Sequence, residues 1–199
     1  MVSLTRGLEL LDAAVRYALA GAGPVTPQLL PLATPCAGWD LLTLLSHVTD
    51  SLEVLSGAVR AGYVGPGPAP GTGEPGPDPP GGLRCRATRL LAACTNAGPG
   101  ERLVAIADRE LTVNMVALAG ALEIAVHGWD ISVTCGARLP VPPGLAATLL
   151  PIAPLLITPS TRLGLFAEPV PVRGPASPGD RLVAFLGRQP GLLATPRPA

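Results

Sequence analysis

The stretch LTVNMVALAGALEIAVHGWDISV, residues 111–133, decides the fold of this chain. Aliphatic side chains dominate it, and it contains no proline. An apolar run of this length predicts a long helix rather than a strand. Its polar members include Glu123, His127 and Asp130. The most apolar predicted helix therefore carries three groups that are costly to bury without a partner.

Three more helices are predicted before this one. Leu and Val recur at steps of four and three over residues 3–20, which gives one apolar stripe. A second helix should begin near Asp40 and carry His47 beside its apolar face. A third is predicted over residues 83–97, and residues 102–109 read as a short apolar connection.

The remaining segments are rich in proline and glycine. Residues 62–82 are predicted to form a flexible surface loop, because this segment has almost nothing to bury. A Leu-rich helix over 144–156 should be bent or broken at its prolines. Residues 163–172 are expected to be extended, a short helix should cover 177–186, and 188–199 should form a loose tail.

Helices joined by connections, with no alternating strand pattern, predict an all-α protein built as an antiparallel helix bundle. A length of 199 residues suits a single domain over 1–199. All 14 basic residues are Arg and the net charge is zero. The sequence therefore has no excess of positive charge of the kind that binds a nucleic-acid backbone. We expect a small-molecule partner and a monomer or homodimer.

The chain also gives no signal for export or for a membrane span. Charged residues occur within the first predicted helix, where a secretory leader needs an apolar core. The apolar run 144–158 is short and interrupted by prolines. None of the four cysteines forms a CxxC pair, so we expect reduced thiols and a cytoplasmic location.

The only two histidines, His47 and His127, fall in the middle of predicted long helices. Glu123 stands four residues before His127, and positions i and i+4 are neighbours on one helical face. His47 can complete the set from the facing helix, which is how bundle cores build metal sites. The sequence therefore predicts one divalent-metal site made of His47, Glu123 and His127.

A metal ion would also explain how Glu123 is tolerated among Ala, Leu, Ile and Val neighbours. Two imidazoles and one carboxylate suit Zn²⁺ with a fourth position open, and Ni²⁺ or Fe²⁺ fit the same donors. The alternative is that both histidines are core residues hydrogen-bonded to Glu123. Spacing alone does not separate these two interpretations.

Two motifs carry a resemblance to a known family. The segment TPCAGWD, residues 34–40, followed by His47, resembles the opening signature of the mycothiol-dependent maleylpyruvate isomerase N-terminal domain. The segment EIAVHGWD, residues 123–130, resembles the second motif of that family. The family belongs to the DinB-like superfamily of metal-binding four-helix bundles. Residues 165–188 resemble the tail of short actinobacterial members described only as metal-binding proteins.

The resemblance implies a DinB-like four-helix bundle with extra C-terminal helical or extended elements. It implies that His47, Glu123 and His127 are the metal ligands, and that mycothiol is the thiol used. We expect no counterpart of the separate C-terminal domain of the isomerase itself, and we match no residue to the substrate-binding groups of that enzyme. Maleylpyruvate is therefore a poor candidate substrate.

Other residues in the motifs have more than one possible role. We favour a structural role for Trp39 and Trp129, with a pocket wall as the alternative. Asp130 and Asp50 each follow a histidine by three residues, so either can accept the second ring N–H of that histidine, directly or through water. The alternative for each is a solvated acid near a helix end. Cys36 has no basic neighbour in sequence, so we interpret it as a packing residue.

Three functions remain open. In the first, the ion activates a low-molecular-weight thiol for transfer to, or isomerisation of, a small electrophile. No spare histidine exists for acid–base work, so metal-bound hydroxide or Asp130 would have to supply it. In the second, the ion is a thiol-independent Lewis acid in an isomerase, cyclase or hydrolase that modifies a small secondary metabolite. In the third, the chain is a non-catalytic, metal-stabilised binding protein.

Overall fold

A computed structural model of the protein describes residues 4–64, 78–97, 103–106, 109–163, 166–172 and 174–193. The chain is mostly helical, with 66% helix, and the packing is consistent with a DinB-like bundle. The predicted all-α class is therefore confirmed. The four long helices are α1 Leu4–Gly21, α2 Leu41–Ala61, α3 Pro79–Asn96 and α4 Val113–Thr134.

Helix α4 is the central element of the bundle. Seventeen of its 22 residues are buried, and it packs along α1 and against α2. Its first turn is capped by Thr112, whose hydroxyl accepts a hydrogen bond from the Met115 amide at 3.2 Å. Among the described residues, α4 alone is long and apolar enough to cross a membrane, but 83% of its apolar window is buried inside the protein. It is therefore packed as a core helix.

Small residues let α1 and α4 approach closely. A side chain added at Gly128 would bring its Cβ to 2.9 Å from both Cα and Cβ of Ala18. Real Cβ atoms do not come that close to backbone, so only glycine fits this crossing. The close contact fixes the height of His127, the preceding residue, along the bundle.

Helix α2 begins where the sequence predicted. The Asp40 carboxylate accepts a hydrogen bond from the Thr43 amide at 2.8 Å and so caps the helix. The helix ends at Gly62, whose φ of 74° lies in the left-handed region. Because α2 also packs against α3, its inner face is held between two helices.

A small sheet follows α2 and precedes α4, which the sequence did not predict. The strands are β1 Tyr63–Val64, β2 Leu103–Ile106 and β3 Arg109–Thr112, in the order β1-β2-β3. Strand β2 runs parallel to β1 and antiparallel to β3. The interpretation of residues 102–109 as a plain connection is therefore wrong. Strands this short show no alternation, and the pairing is decided by backbone contacts between distant segments.

The predicted loop over 62–82 is shorter than expected. Strand β1 occupies its start, and helix α3 already begins at Pro79. Proline suits the first turn of a helix because its missing N–H is not needed there. Asp78 caps this helix by accepting a hydrogen bond from the Gly81 amide at 3.0 Å. Residues 65–77, the rest of the predicted loop, lie outside the described residues.

After α4 the chain forms short helices, as predicted. The helix expected over 144–156 is broken near its prolines into two pieces. Residues 166–172 form neither helix nor strand. The last helix is capped by Ser177 and Asp180, each side chain bonding the backbone of the other. The four elements are α5 Pro143–Leu149, α6 Ala153–Leu156, α7 Pro159–Arg162 and α8 Pro178–Phe185.

The C-terminal segment is tied back to the bundle by buried arginines. Arg162 donates hydrogen bonds to the carbonyls of Ala167 at 2.7 Å and Phe185 at 3.0 Å. The prediction of a loose tail from residue 188 is wrong at its start, because Arg188 is only 5% exposed. Residues 194–199 lie outside the described residues.

We expect Gly128→Ala to lower the free energy of unfolding by about 1–3 kcal/mol, because the new methyl group overpacks the contact with α1. The control is Gly57→Ala in helix α2, where nothing lies within 4 Å of the added Cβ. That variant should gain about 0.5–1 kcal/mol, since alanine is the better helix former. Urea unfolding of metal-free protein measures both. Equal midpoints for the two variants would contradict the close crossing.

Candidate metal centre

The structure brings the three predicted ligands together. His47 lies on α2, while Glu123 and His127 lie one turn apart on α4, which packs against α2. One ligand atom from each side chain can be chosen so that all three lie within 4.8 Å of one another. The i and i+4 spacing on α4 supplies one edge of this triangle, and the helix contact supplies the third corner.

The polar atoms of this cluster are not satisfied by one another. Nε2 of His47 lies 3.5 Å from Oε1 of Glu123, and the two imidazole rings meet edge to face at 5.2 Å. Nδ1 of His47 and Oε1 of Glu123 are buried, and neither has a hydrogen-bond partner among the described residues. A cluster of core histidines bonded to Glu123 would satisfy these atoms, so that alternative fits poorly.

A divalent cation fits the same cluster well. Two imidazoles and a carboxylate offer three donors, and a cation among them would compensate the buried carboxylate oxygen. The donor set is therefore one that can hold a metal ion, and it leaves the identity of the ion open.

Asp130 orients His127 from behind. Oδ2 of Asp130 lies 3.1 Å from Nδ1 of His127, so an Nδ1–H tautomer donates to the carboxylate. Nε2 is then the unprotonated nitrogen, which is the form that binds a metal. The prediction that Asp130 accepts the second ring N–H of His127 is confirmed. Its carboxylate is fully buried and does not line the neighbouring cavity, so its position does not favour a direct role in proton transfer.

Arg188 holds Asp130 in place, and sequence analysis missed this pair. The guanidinium donates from Nε to Oδ1 at 3.2 Å and from Nη2 to Oδ2 at 2.8 Å. Burial raises the pKa of the Asp130 carboxyl, but the hydrogen bond from His127 and the charge of Arg188 outweigh it and lower the pKa. Asp130 is therefore ionised, and its carboxylate is held between the imidazole of His127 and the guanidinium of Arg188.

The signal for Arg188 in the sequence was weak. It lies 58 residues after Asp130, beyond several prolines, and its only mark was the Leu-Gly-Arg ending shared with the resembling tails. The left-handed φ of 82° at Gly187 helps to turn the chain before it.

His47 has a different electrostatic environment from His127. Burial lowers its pKa, the neighbouring His127 lowers it further, and the charges of Glu123 and Asp50 oppose this. The net pKa is lowered, which keeps the ring neutral and ready to act as a ligand. Nδ1 of His47 has no hydrogen-bond partner among the described residues, so this nitrogen makes no direct bond to Asp50.

The three donors open into a cavity of about 490 Å³. Trp39 is part of its wall, with its ring 4.6 Å from that of His47 and 6.3 Å from that of His127. Trp39 therefore also fits the alternative of a pocket wall while it packs against the core, whereas Trp129 is 1% exposed and has the favoured structural role. The cavity is lined by Cys36, Ala37, Trp39, His47, Ser51, Ala119, Leu122, Glu123, Val126, His127, Leu156, Ile157, Phe166 and Arg188.

Cys36 also lines this cavity, beside Arg188. Burial raises the pKa of its thiol, while the charge of Arg188 and a hydrogen bond from it act in the opposite direction. The net pKa is raised, so the thiol is protonated near neutral pH. From the sequence we interpreted Cys36 as a packing residue, because no basic residue lies near it along the chain. Its basic neighbour, Arg188, comes close only in the folded structure.

Comparison with protein families matches residues 11–132 to the mycothiol maleylpyruvate isomerase N-terminal domain. This match covers more than half of the chain. The chain belongs to this family. The matched range includes His47, Glu123, His127 and Asp130, but it ends before Arg188. Comparisons with curated proteins and with solved structures found no match.

We expect His127→Ala, His47→Ala and Glu123→Gln each to lose most of the bound metal, because each removes one donor of three. Elemental analysis of purified protein measures the metal-to-protein ratio. The matched control is Glu53→Gln on the outer face of α2, where Glu53 pairs only with surface arginines. Unchanged metal content in all three site variants would rule out this site.

We expect Asp130→Asn to weaken metal affinity by about 10–100-fold, because His127 loses its orienting acceptor. The same change leaves Arg188 buried without its counter-ion, so the free energy of unfolding should fall by about 3–5 kcal/mol. The control, Asp12→Asn, breaks an exposed pair with Arg16 and should cost about 1 kcal/mol or less.

The stability effect of Asp130 should also depend on pH. Because the native pKa is lowered, the ionised carboxylate stabilises the fold above its unfolded pKa of about 3.9. That contribution is lost as the pH falls through the lowered native value. The gap in unfolding free energy between parent and Asp130→Asn should therefore be full at neutral pH and shrink below about pH 4. A gap that is constant down to strongly acidic pH would contradict the ion pair.

Proposed function

We propose that the protein is a metal-dependent enzyme that activates a low-molecular-weight thiol, mycothiol, for transfer to or isomerisation of a small electrophilic substrate. The observation that carries this proposal is that the three donors, His47, Glu123 and His127, face a cavity of about 490 Å³. Structural metal sites are closed by four protein ligands, whereas catalytic sites keep one position open. A three-donor site beside a cavity of small-molecule size supports the catalytic alternative.

The donor set makes Zn²⁺ the proposed ion, with Ni²⁺ or Fe²⁺ as alternatives. When bound, such an ion lowers the pKa of a thiol or water that it coordinates. The residues of the chain then have separate tasks. His47, Glu123 and His127 hold the ion, and Asp130 fixes the ring of His127 through the bond to Nδ1. Trp39 and the aliphatic wall limit the access of water to the site.

Two observations support a thiol as the activated group. The family is named after mycothiol maleylpyruvate isomerase, and the family match spans all three donors. The only cysteine on the cavity wall, Cys36, has a raised pKa and so is a poor nucleophile. A reaction that needs a thiolate at this site therefore requires an added thiol.

We also propose that the protein acts in the cytoplasm. All four cysteines are free, and the helix most able to cross a membrane is a buried core helix. A reducing compartment suits both free thiols and a thiol co-substrate.

A thiol-independent Lewis-acid enzyme is the second candidate, and the apolar wall of the cavity favours it. An isomerase, cyclase or hydrolase for a small secondary metabolite would use the same three ligands and the same cavity. It would differ in leaving the open position to substrate or water rather than to a thiol.

We expect mycothiol added to Co²⁺-substituted protein to produce a sulfur-to-cobalt charge-transfer band, because the open position accepts a thiolate. S-methylated mycothiol, which keeps the sugar portion but has no thiol, should not produce the band. The His127→Ala protein, which retains the cavity but loses a donor, should produce none with either compound.

Two other results would redirect the proposal. A cobalt spectrum unchanged by mycothiol would refute the thiol function, and binding of a neutral carbonyl compound to the ion would then favour the Lewis-acid enzyme. A cobalt spectrum insensitive to every added ligand would indicate a closed, structural site.

A further inference from the structure

We propose that the cavity takes a neutral, largely apolar electrophile and discriminates against substrates with two carboxylates. This inference deepens the proposed function and rests on it for the reaction, although binding to the cavity can be measured without either metal or thiol. It is carried by the chemistry of the wall and by the charge balance of the residues around it.

The wall beyond the donors is aliphatic and aromatic. Helix α4 contributes Leu122 and Val126, and the segment after α5 contributes Leu156, Ile157 and Phe166. These side chains give the cavity a largely apolar surface. Apolar parts of a ligand gain by entering such a cavity, whereas an unpaired charge loses its hydration and gains no partner.

Among the described residues that line the cavity, Arg188 is the only lysine or arginine. Its charge is already balanced, because Asp130 accepts hydrogen bonds from it on both carboxylate oxygens. A third donor, Nη1, is bound to the carbonyl of Leu186 at 2.8 Å. The guanidinium therefore does not present the free fork of donors that recognises a substrate carboxylate.

The charges of the site allow one anionic group and no more. A divalent ion held by His47, Glu123 and His127 would add two positive charges, and the Glu123 carboxylate would cancel one of them. Arg188 and Asp130 cancel each other. The single positive charge that remains would be balanced by the thiolate of the proposed function. A carboxylate on the substrate would then lie in the apolar part of the cavity without a counter-ion, and two carboxylates would be worse.

The cavity wall also contains a position at which a substitution can add a positively charged side chain. Leu156 lines the cavity, whereas Leu155, the preceding residue, is 77% exposed and does not. An arginine at 156 would add a positive charge to the wall, and an arginine at 155 would add the same charge to the outer surface. The two variants have the same composition and net charge, so they differ only in where the charge lies.

The test compares diethyl succinate with succinate, which share a carbon skeleton but differ by two charges. Binding to metal-free protein is followed by NMR from the indole N–H of Trp39, which lines the cavity. The unreactive skeleton avoids modification of Cys36, and metal-free protein prevents carboxylate from binding to the ion. We expect the diester to bind at least about tenfold more tightly than succinate to the parent protein.

Leu156→Arg should raise the affinity for succinate by at least about tenfold, and Leu155→Arg should leave it unchanged. Phe166→Arg is a second cavity variant in case the first does not fold. Equal or tighter binding of succinate to the parent, or no binding of the diester, would overturn the inference. The inference would also be overturned if Leu156→Arg or Phe166→Arg folds but binds succinate no more tightly than Leu155→Arg does.

The outcome of this test is independent of the outcome of the test of the proposed function. Discrimination between diester and succinate in metal-free protein does not depend on whether a thiol binds the cobalt form. Diester binding with no response of the cobalt spectrum to mycothiol would leave the cavity assignment standing and remove the thiol reaction. A cobalt response to mycothiol with equal binding of diester and succinate would support the thiol reaction and overturn the inference about the cavity.

Discussion

The Asp130 carboxylate, fully buried between His127 and Arg188, is the contact on which the rest of this structure depends. An isolated carboxylate at that depth would be strongly destabilising, so both partners are needed for the charge to be tolerated. The bond to His127 orients the ring of a candidate metal ligand, and the bond to Arg188 anchors the chain after α8. A single ion pair therefore joins the geometry of the site to the folding of the C-terminal segment.

This arrangement explains why the chain continues well beyond the four long helices. The matched family domain ends at residue 132, yet part of the cavity wall and the counter-ion of Asp130 come from later residues. Helices α5 to α8 are short, and Arg162 and Arg188 hold them through bonds to backbone carbonyls and to Asp130. The C-terminal elements thus complete the site rather than extend the fold.

The candidate metal donors and the cavity beside them differ in chemical character. The donors His47 and Glu123 have buried atoms that no residue of the described chain satisfies, which is the feature expected of a ligand cage. Beyond these donors most of the described lining is aliphatic or aromatic, and the one arginine among the described lining residues is already paired. The candidate metal donors are therefore grouped at one end of a largely apolar cavity.

The sequence by itself determined the helical class, the start of α2 at Asp40 and the convergence of His47, Glu123 and His127. These follow from local rules: apolar periodicity, capping and the i to i+4 spacing on one helix face. The sequence did not reveal the small sheet, because strands of two to four residues show no alternation and their pairing depends on distant backbone.

Only the tertiary structure decided the partner of Asp130, the place of Trp39 on the cavity wall and the environment of Cys36. In each case the deciding neighbour comes from another element, and Arg188 lies 58 residues from Asp130 along the chain. Burial, charge pairing and cavity shape depend on which surfaces meet when the helices pack, and no local pattern encodes that. The three candidate metal ligands could therefore be predicted from the sequence, whereas the residues that surround them in the fold could not.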